Sequence, residues 1–550
     1  MYKRSSGWFC AGAGLAGVGI LSIVSEAPPA TPNLSLRPAT MPRVGTLDER
    51  YQSYNVEMLE VTGGKFWKPY GLELDAILKQ PHPSAAPSSS GDTPSGMNPA
   101  LYQYRPPIDL TNARLRKLAA ALGPAYVRVS GTWANTTYFP ETDETPAKPP
   151  PGFMGILTRQ QWKGVVDFSK AVDAEIVTSF AYSAGTRDAA GLWTTDQAKR
   201  FVDYTNSVGG RIAAAEFMNE PTLAAMGGAP TGYDAAAYGR DFKVFRAFAK
   251  QTVPTLLILG PGSVGETIGD WGVAHGNLKM LKTRDLLAAS GPGIDRFSYH
   301  HYGAASIRCA AMGHQTTADV ALSEQWLRRT DETLAFYRKL RDEFEAGKSF
   351  WLTETADAAC GGNPWGATFL DTFRYLDQLG RLARQDVEVV AHNTLVASDY
   401  GLLDEKTLAP KPNYWGALLW RKLMGTTVLD PGPSPEGFHL YAHSLRNHPG
   451  GVALLVINTS RTQEQSIDLP MPAERYTLTA PRLQGKEVQL NGRELQLQAN
   501  DELPKLEGTR IPSGRVEFAP TTITFLAVPD AGNPLQELVV EATERQGVAY

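Results

Sequence analysis

Cysteine is scarce in this chain, and so is an excess of charge of either sign. Its 550 residues include 3 cysteines, and 53 Lys and Arg against 57 Asp and Glu leave a formal net charge of −4. A balance this close to neutral, without a long basic run, gives no electrostatic reason to expect a nucleic-acid partner. The adjacent His300 and His301 and the distant Cys309 and Cys360 do not match a zinc pattern. We therefore expect no bound metal and no nucleic acid.

The N-terminus has the composition of an export signal. Lys3 and Arg4 precede a glycine-rich apolar segment, Gly7 to Val24, which is followed by small residues as far as Ala27. A membrane anchor is the alternative, but the segment is short for a membrane span. We predict that residues 1–27 are a cleaved signal peptide, that the protein is secreted or periplasmic, and that it has no stable membrane anchor.

Short apolar runs alternate with amphipathic stretches over residues 49–425. The runs that we interpret as strands are 51–57, 125–130, 175–183, 211–218, 255–260, 294–301, 349–355 and 387–395. Eight alternations of strand and helix predict an α/β fold, a closed (β/α)8 TIM barrel. An open doubly wound sheet is the alternative. It is disfavoured because no G-x-G-x-x-G fingerprint follows the first strand and no Walker lysine motif is present.

Two stretches depart from this alternation. Residues 426–550 contain short strand-like runs with a hairpin signal at Asn491-Gly492, which predicts a C-terminal all-β sandwich domain. Residues 60–108, between the first two barrel strands, include a stretch rich in Ser, Pro and Gly and are predicted to form a long loop on the active face.

Two glutamates close predicted barrel strands. Glu220, in the stretch RIAAAEFMNEP, closes the fourth strand, and Glu354 closes the seventh. The carboxyl ends of barrel strands open on one face, and two carboxylates facing one cleft are the minimum for glycoside hydrolysis. Asn219 is placed to donate a hydrogen bond to a sugar 2-hydroxyl.

Further candidates follow other strands of the same barrel end. His300 or Tyr302, after the sixth strand, could orient Glu354 and keep it ionised. The consecutive glycines after the seventh strand have exposed N–H groups that could cradle a carboxylate. The candidates are Glu57, Thr132, His300, Tyr302, Gly361 and Gly362.

Two cysteines remain after removal of the predicted signal peptide. Cys309 and Cys360 fall in the loops that follow the sixth and seventh strands. These strands are neighbours in a barrel, so we expect a Cys309–Cys360 disulfide.

Longer motifs carry a resemblance to a known family. They are the segments 115–132, 218–221 (MNEP), 298–303 (SYHHYG), 352–380, 400–429 and 488–497. On these motifs the chain resembles glycoside hydrolase family 79, the heparanase and β-glucuronidase family, from about Tyr51 to Val528.

The resemblance implies a retaining β-glucuronidase that needs no cofactor. Glu220 would be the general acid/base and Glu354 the nucleophile. Residues 28–48 would complete the sandwich. The positions where the family contacts the sugar or the nucleophile correspond to Asn219, Glu57, Thr132, His300, Tyr302 and Tyr400, and those that would receive the uronic-acid carboxylate to Gly361, Gly362 and Tyr400.

The substrate expected from this resemblance is a glucuronic-acid-containing polysaccharide or another glucuronide. We predict heparanase-like endo action by a single-chain monomer. Exo release of terminal glucuronic acid, hydrolysis of a neutral sugar and carbohydrate binding without catalysis are the alternatives. Residues 262–272 contain Glu266 and no Arg, which argues against recognition of a sulfated neighbouring sugar.

Overall fold

The computed structural model describes residues 34–80, 93–267, 280–310 and 313–534. The described residues, which begin at Leu34, form one compact unit. The predicted signal peptide lies outside the described residues. Within the described ranges, no helix has both the length and the apolar character needed to cross a membrane.

Eight parallel strands close into a barrel in which neighbours in the chain are neighbours in the sheet. In chain order they are Gln52–Glu57, Ala125–Ser130, Ala174–Ser179, Ile212–Glu216, Leu257–Ser263, Arg296–Ala305, Phe350–Ala359 and Val387–His392. The eighth strand pairs with the first, which closes the barrel. The predicted (β/α)8 fold is confirmed.

Helices surround the barrel. They are α1 (Met58–Thr62), α2 (Leu72–Leu78), α3 (Ala113–Ala120), α4 (Arg159–Ala171), α5 (Asp196–Ser207), α6 (Ala235–Thr252), α7 (Thr283–Ser290), α8 (Glu324–Leu327), α9 (Arg329–Phe344), α10 (Phe369–Ala383) and α11 (Pro412–Leu423). Helix α4 illustrates why they form where they do. Thr158 and Gln161 make a capping box at its start, and apolar side chains at helical spacing, such as Trp162 and Val166, are buried against the barrel.

The all-β region consists of two sheets that pack face to face. Its strands are Leu34–Ser35, Arg43–Thr46, Met424–Leu429, Phe438–Leu445, Val452–Asn458, Gln465–Leu469, Ala473–Thr479, Gln489–Leu490, Arg493–Glu494, Thr509–Ile511, Gly514–Phe518 and Thr522–Val528. Leu34–Ser35 pairs with Gln465–Leu469, and Arg43–Thr46 pairs with Met424–Leu429. The hairpin predicted at Asn491-Gly492 is confirmed by the pairing of the strands that flank it.

The segment 60–108 is more ordered than its composition suggested. Gly64–Trp67 pairs with Tyr102–Arg105 in an antiparallel hairpin, and α2 lies between them. The prediction of a loop is wrong for these stretches. The reason is burial: Phe66 and Tyr102 are only 1% and 5% exposed and pack in an apolar cluster above the barrel mouth. Residues 81–92, the most Ser- and Pro-rich part, lie outside the described residues.

Candidate active site

Two carboxylates meet at the mouth of the barrel. Glu220 follows the fourth barrel strand, Glu354 lies in the seventh, and both are almost fully buried. One oxygen of each carboxylate and a ring nitrogen of His300 all lie within 4.8 Å of one another. The barrel thus brings together the two glutamates that the sequence singled out.

Glu220 has an unusual backbone conformation. Its φ of 49° and ψ of 63° lie in the left-handed region, where a non-glycine residue costs about 1–3 kcal/mol. The following Pro221 disfavours the right-handed helical region for the residue before it. The fourth strand ends at Glu216, earlier than predicted, so Glu220 lies in the loop and its side chain lines the pocket.

Arg128, in the second barrel strand, connects the groups around the carboxylates. Its Nη1 donates to Glu354 Oε2 at 2.9 Å, and its Nη2 donates to Glu216 Oε2 at 2.8 Å. Nη2 also donates to Asn219 Oδ1 at 2.8 Å and lies 3.2 Å from His300 Nε2. Sequence reasoning missed Arg128, although a charge inside the apolar run AYVRVS was a usable signal, because a buried charge needs partners.

Glu216 is the second buried charge that sequence reasoning missed. It is fully buried, and its Oε1 accepts a hydrogen bond from Thr353 Oγ1 at 2.7 Å. Burial would raise the pKa of Glu216, but the charge of Arg128 and its hydrogen bond outweigh that effect and lower the pKa. Gly262 makes room for this carboxylate, because a Cβ there would lie 2.8 Å from Glu216 Oε1. Glu216 is therefore an ionised partner of Arg128 below the pocket.

His300 lies closer to Glu220 than to Glu354. A proton on Nε2 would point at the positively charged Arg128 guanidinium, so we place the ring proton of His300 on Nδ1. That Nδ1 lies 3.0 Å from Glu220 Oε1 and 3.8 Å from Glu354 Oε2. Burial lowers the pKa of His300, which keeps the ring neutral. Tyr302 is the residue that holds Glu354, since its hydroxyl donates to Oε1 at 2.6 Å.

Asn393, directly after the eighth strand, joins three other candidates. Its Nδ2 lies 3.2 Å from Glu57 Oε1, 3.0 Å from the Tyr302 hydroxyl and 3.1 Å from the Tyr400 hydroxyl. The sequence reasoning did not single out Asn393. Its position was visible only as the end of a predicted strand, without a motif that marked it.

Glu57 is a buried carboxyl group in the pocket wall. Burial, then the nearby charges of Glu354 and Glu60, raises the pKa of Glu57 well above its usual value. This shift favours the protonated form, which can donate a hydrogen bond to a ligand. Gly131 makes its position possible, because a Cβ there would lie only 1.7 Å from Glu57 Oε2.

The pocket at the barrel mouth has both polar and apolar lining residues. The polar lining consists of Glu57, Thr132, Glu220, Tyr302, Glu354, Asn393 and Tyr400; the apolar and aromatic lining includes Phe66, Trp67, Met97, Tyr102, Trp133 and Met226.

The other predicted site residues lie beside the pocket. Asn219 turns its Oδ1 towards Arg128, so its amide nitrogen faces the other way and remains available as a donor. Gly361 and Gly362 follow Cys360, which lines the pocket, but neither glycine is itself in the lining. Cys360 is joined to Cys309 by a disulfide.

Glu220 and Glu354 differ in their electrostatic environments. Burial, opposed by Arg128 and assisted by Glu216, raises the pKa of Glu220 to about 7. Glu354 instead accepts hydrogen bonds from Arg128 and Tyr302, which stabilise its negative charge. Glu220 can therefore carry a proton near neutral pH.

The cluster of Glu220, His300 and Glu354 is compact enough to be tested as a metal site. In the assigned tautomer, Nδ1 of His300 carries a proton that faces Glu220, and the lone pair of Nε2 points at the Arg128 guanidinium rather than at a shared cation position. A cation there would also lie beside the Arg128 guanidinium, which bonds Glu354. The three residues do not fit a metal ion.

Comparison with known proteins places these features among glycosidases. The family model described as glycosyl hydrolase family 79, N-terminal domain, matches residues 107–380. Heparanase from Mus musculus is 27% identical, over 80% of this chain and 90% of the relative. Heparanase-like protein 1 from Arabidopsis thaliana is 26% identical, over 77% and 85%. Hyaluronoglucuronidase from Hirudo nipponia is 25% identical, over 77% and 91%.

Solved structures share the fold at low sequence identity. A 4-O-α-L-rhamnosyl-β-D-glucuronidase from Fusarium oxysporum has a TM-score of 0.58 and 12% identity, covering 90% of this chain and 100% of that chain. An arabinofuranosidase has a TM-score of 0.59 and 13% identity, covering 90% and 99%. These likenesses concern the fold alone.

Proposed function

The chain belongs to glycoside hydrolase family 79 and is a glycoside hydrolase, and from this membership we propose that it is a retaining β-glucuronidase acting on glucuronate-containing polysaccharides. The observation that carries the proposal is the distance between Glu220 and Glu354. One carboxylate oxygen of Glu220 and one of Glu354 lie within 4.8 Å of each other. Retaining enzymes place their carboxyl groups ~5–5.5 Å apart, whereas inverting enzymes leave ~6.5–9.5 Å for a water molecule.

Glu354 is the proposed nucleophile. Tyr302 holds its Oε1 and Arg128 holds its Oε2, so the carboxylate is fixed in position with its charge stabilised. Attack by one of these oxygens on the anomeric carbon would break the glycosidic bond and form a glycosyl-enzyme.

Glu220 is the proposed acid/base. A pKa of about 7 lets it carry a proton at neutral pH. Because the Nδ1–H of His300 faces Oε1, the acidic proton belongs on Oε2, from where it passes to the leaving oxygen. The resulting carboxylate then takes a proton from the water molecule that hydrolyses the glycosyl-enzyme.

The polar side of the pocket suits an acidic sugar. Glu57, the Asn219 amide and Thr132 offer hydrogen bonds to sugar hydroxyls. Gly361, Gly362 and Tyr400 are the proposed receptors of the C6 carboxylate, since oriented backbone N–H groups bind anions without a basic side chain.

The names of the relatives favour a polysaccharide substrate and endo cleavage. Two are heparanases or heparanase-like, and one is a hyaluronoglucuronidase. Exo cleavage is the second candidate. Phe66, Trp67 and Tyr102 line the pocket and belong to one apolar cluster, which would limit a polysaccharide to one direction if it closes the pocket there.

The disulfide bears on where the enzyme is located. Disulfides persist in oxidising compartments. Cys309–Cys360 is therefore compatible with a secreted or periplasmic enzyme, as the N-terminal composition predicts.

Glu354→Gln and Glu220→Gln should test the mechanism. Each variant is expected to lower kcat on an aryl β-glucuronide by at least ~1000-fold while remaining folded, since each removes a group that acts in the reaction. Glu345→Gln is the matched control, because Glu345 is equally buried but accepts the Gly293 N–H away from the pocket. Near-normal activity in either active-site variant would contradict the assignment.

The sizes of the products distinguish endo cleavage from exo cleavage. A ladder of oligosaccharides from heparan sulfate or hyaluronan is expected for endo cleavage, and free glucuronate alone would indicate exo cleavage. Faster hydrolysis of an aryl xyloside or glucoside than of the glucuronide would refute the substrate assignment.

A further inference from the structure

The turn after the seventh barrel strand has a left-handed backbone. Cys360, Gly361 and Gly362 have φ values of 63°, 83° and 86°. Backbone turns can present successive N–H groups that together bind an anion. The next N–H of the turn, that of Asn363, already donates to a carboxylate, Asp357 Oδ2, at 2.8 Å. Across the described ranges, no acceptor takes the N–H of Gly361 or Gly362.

Arg308 holds this turn from its carbonyl side. Its Nη1 donates to Cys360 O at 3.3 Å and to Gly362 O at 3.1 Å. Because a trans peptide is planar, the C=O of one residue and the N–H of the next point in opposite directions. Fixing Cys360 O therefore directs the Gly361 N–H away from Arg308. Ser398 Oγ donates to Gly361 O at 3.0 Å and fixes the Gly362 N–H in the same way.

Arg308 is itself immobilised. Its side chain is fully buried, its Nη2 bonds Asp399 and donates to Lys68 O at 2.7 Å, and its guanidinium lies 3.9 Å from the centre of the Tyr70 ring. The disulfide of the neighbouring Cys309 attaches to Cys360, the first residue of the same turn. The carbonyls thus face a rigid set of donors.

The turn lies between two residues that line the pocket. A Cβ on Gly361 would lie 2.8 Å from the Trp67 ring, and a Cβ on Gly362 would lie 3.1 Å from the Tyr400 ring. Both glycines therefore contact the pocket wall closely, at the point where the proposed function needs a carboxylate receptor.

We infer that Arg308 is the positioning residue that makes this pocket selective for a uronate over the corresponding neutral sugar. It does so by aiming the N–H groups of Gly361 and Gly362, with Ser398 as its partner, and it does not touch the substrate. This inference rests on the proposed β-glucuronidase function.

The test compares kcat/KM for an aryl β-glucuronide and the matching aryl β-glucoside. Arg308→Met should raise KM for the glucuronide about 10-fold or more and change glucoside hydrolysis by less than about 3-fold, because only the uronate uses the aimed N–H groups. Ser398→Ala should lower the ratio of kcat/KM for the glucuronide to kcat/KM for the glucoside by about 3-fold. If glucoside turnover is too slow to measure, the inhibition constants of free glucuronic acid and glucose supply the ratio.

Arg329→Met is the matched control. Arg329 also lies over an aromatic ring, Trp326, and donates to a backbone carbonyl, Gly303 O, at 2.5 Å, but it does not hold the glycine turn. Its substitution should leave the ratio unchanged.

Three results would overturn the inference. An equal loss on both substrates in Arg308→Met would mean a structural role only. An unchanged ratio in Arg308→Met and Ser398→Ala would mean no role in selectivity, and Ser398→Ala decides alone if Arg308→Met does not fold. A wild-type enzyme without glucuronide hydrolysis would refute the proposed function, and the inference with it.

Discussion

At the scale of single residues, the site is a set of buried charges that share one guanidinium. Arg128 bonds both Glu216 and Glu354, and it contacts the ring of the histidine that faces Glu220. Glu216 carries a negative charge that helps to raise the pKa of Glu220. A proton on Glu220 is thus favoured by burial and by Glu216, which ends the strand before it, and is opposed by Arg128.

Glu220 should cost the protein stability above neutral pH. Its pKa of about 7 in the folded protein exceeds the ordinary value of 4.5. The folded state therefore binds a proton more tightly than the unfolded state, and its contribution to stability is present below pH ~4.5 and is lost as the pH rises to ~7. Glu220→Gln should consequently be more stable than wild type at pH 8, by about 1–3 kcal/mol, and the advantage should shrink towards pH 5.

Denaturant unfolding of both proteins at pH 5 and pH 8 measures this effect. A constant difference at the two pH values would mean that Glu220 does not titrate as described. In the wild type, kcat/KM for an aryl glucuronide should fall as the pH rises through ~7, because the acid form is lost.

At the scale of elements, strand ends and the turns after them decide where the site residues lie. Glu57 ends the first barrel strand, and the turn after the second strand leaves room for it only because residue 131 is a glycine. Adjacent residues of a strand face opposite sides, so His300 enters the site while His301 lies 3.5 Å from Thr330 on α9.

Gly131→Ala should therefore damage activity more than stability. The added Cβ would collide with Glu57 Oε2, and the φ of 99° at this position disfavours a side chain, so Glu57 must move out of the pocket wall. We expect kcat/KM for the glucuronide to fall at least ~10-fold.

Gly191→Ala is the control for the backbone effect alone. Gly191 also has a positive φ, 77°, but nothing lies within 4 Å of a Cβ placed there. It should lose about 1–2 kcal/mol of unfolding free energy and keep its activity. Equal activity in the two variants would show that Glu57 tolerates displacement.

At the scale of the whole molecule, the barrel and the sandwich meet through buried charges. Asp377 of α10 accepts a hydrogen bond from the Tyr441 hydroxyl, pairs with His439 and bonds Arg381, and His439 also lies 3.2 Å from Glu324 Oε2. Burial alone would lower the pKa of His439, but Asp377 and then Glu324 outweigh it and raise the value to about 9.

This contact should weaken in mild alkali. The folded pKa of His439 lies above the ordinary 6.5, so the stabilisation is complete below pH ~6.5 and is lost as the pH rises through ~9. Wild type should lose about 1–3 kcal/mol of unfolding free energy over that window, and His439→Gln should lose less.

His443→Gln is the control for this experiment. His443 lies in the same strand and is equally buried, but burial lowers its pKa to about 4, so it stays neutral across the window. The slope of stability against pH should match wild type in this variant. If His439→Gln also matches wild type, the His439 charge does not contribute.

The alternating strands and helices, and the selection of Glu220 and Glu354 as site residues, were predictable from the amino-acid sequence. Apolar runs at strand spacing and amphipathic runs at helical spacing are local signals, so all eight barrel strands were predictable. The barrel fold then required Glu220 and Glu354 to open on one face, without knowledge of any contact.

The residues that contact those glutamates depend on the tertiary structure. Strand register and the closure of the barrel choose which inward side chains meet, and these contacts join residues far apart in the chain. That is why Arg128 and Asn393 were missed, why His300 faces Glu220 rather than Glu354, and why apolar side chains of the segment 60–108 fold into a hairpin above the site.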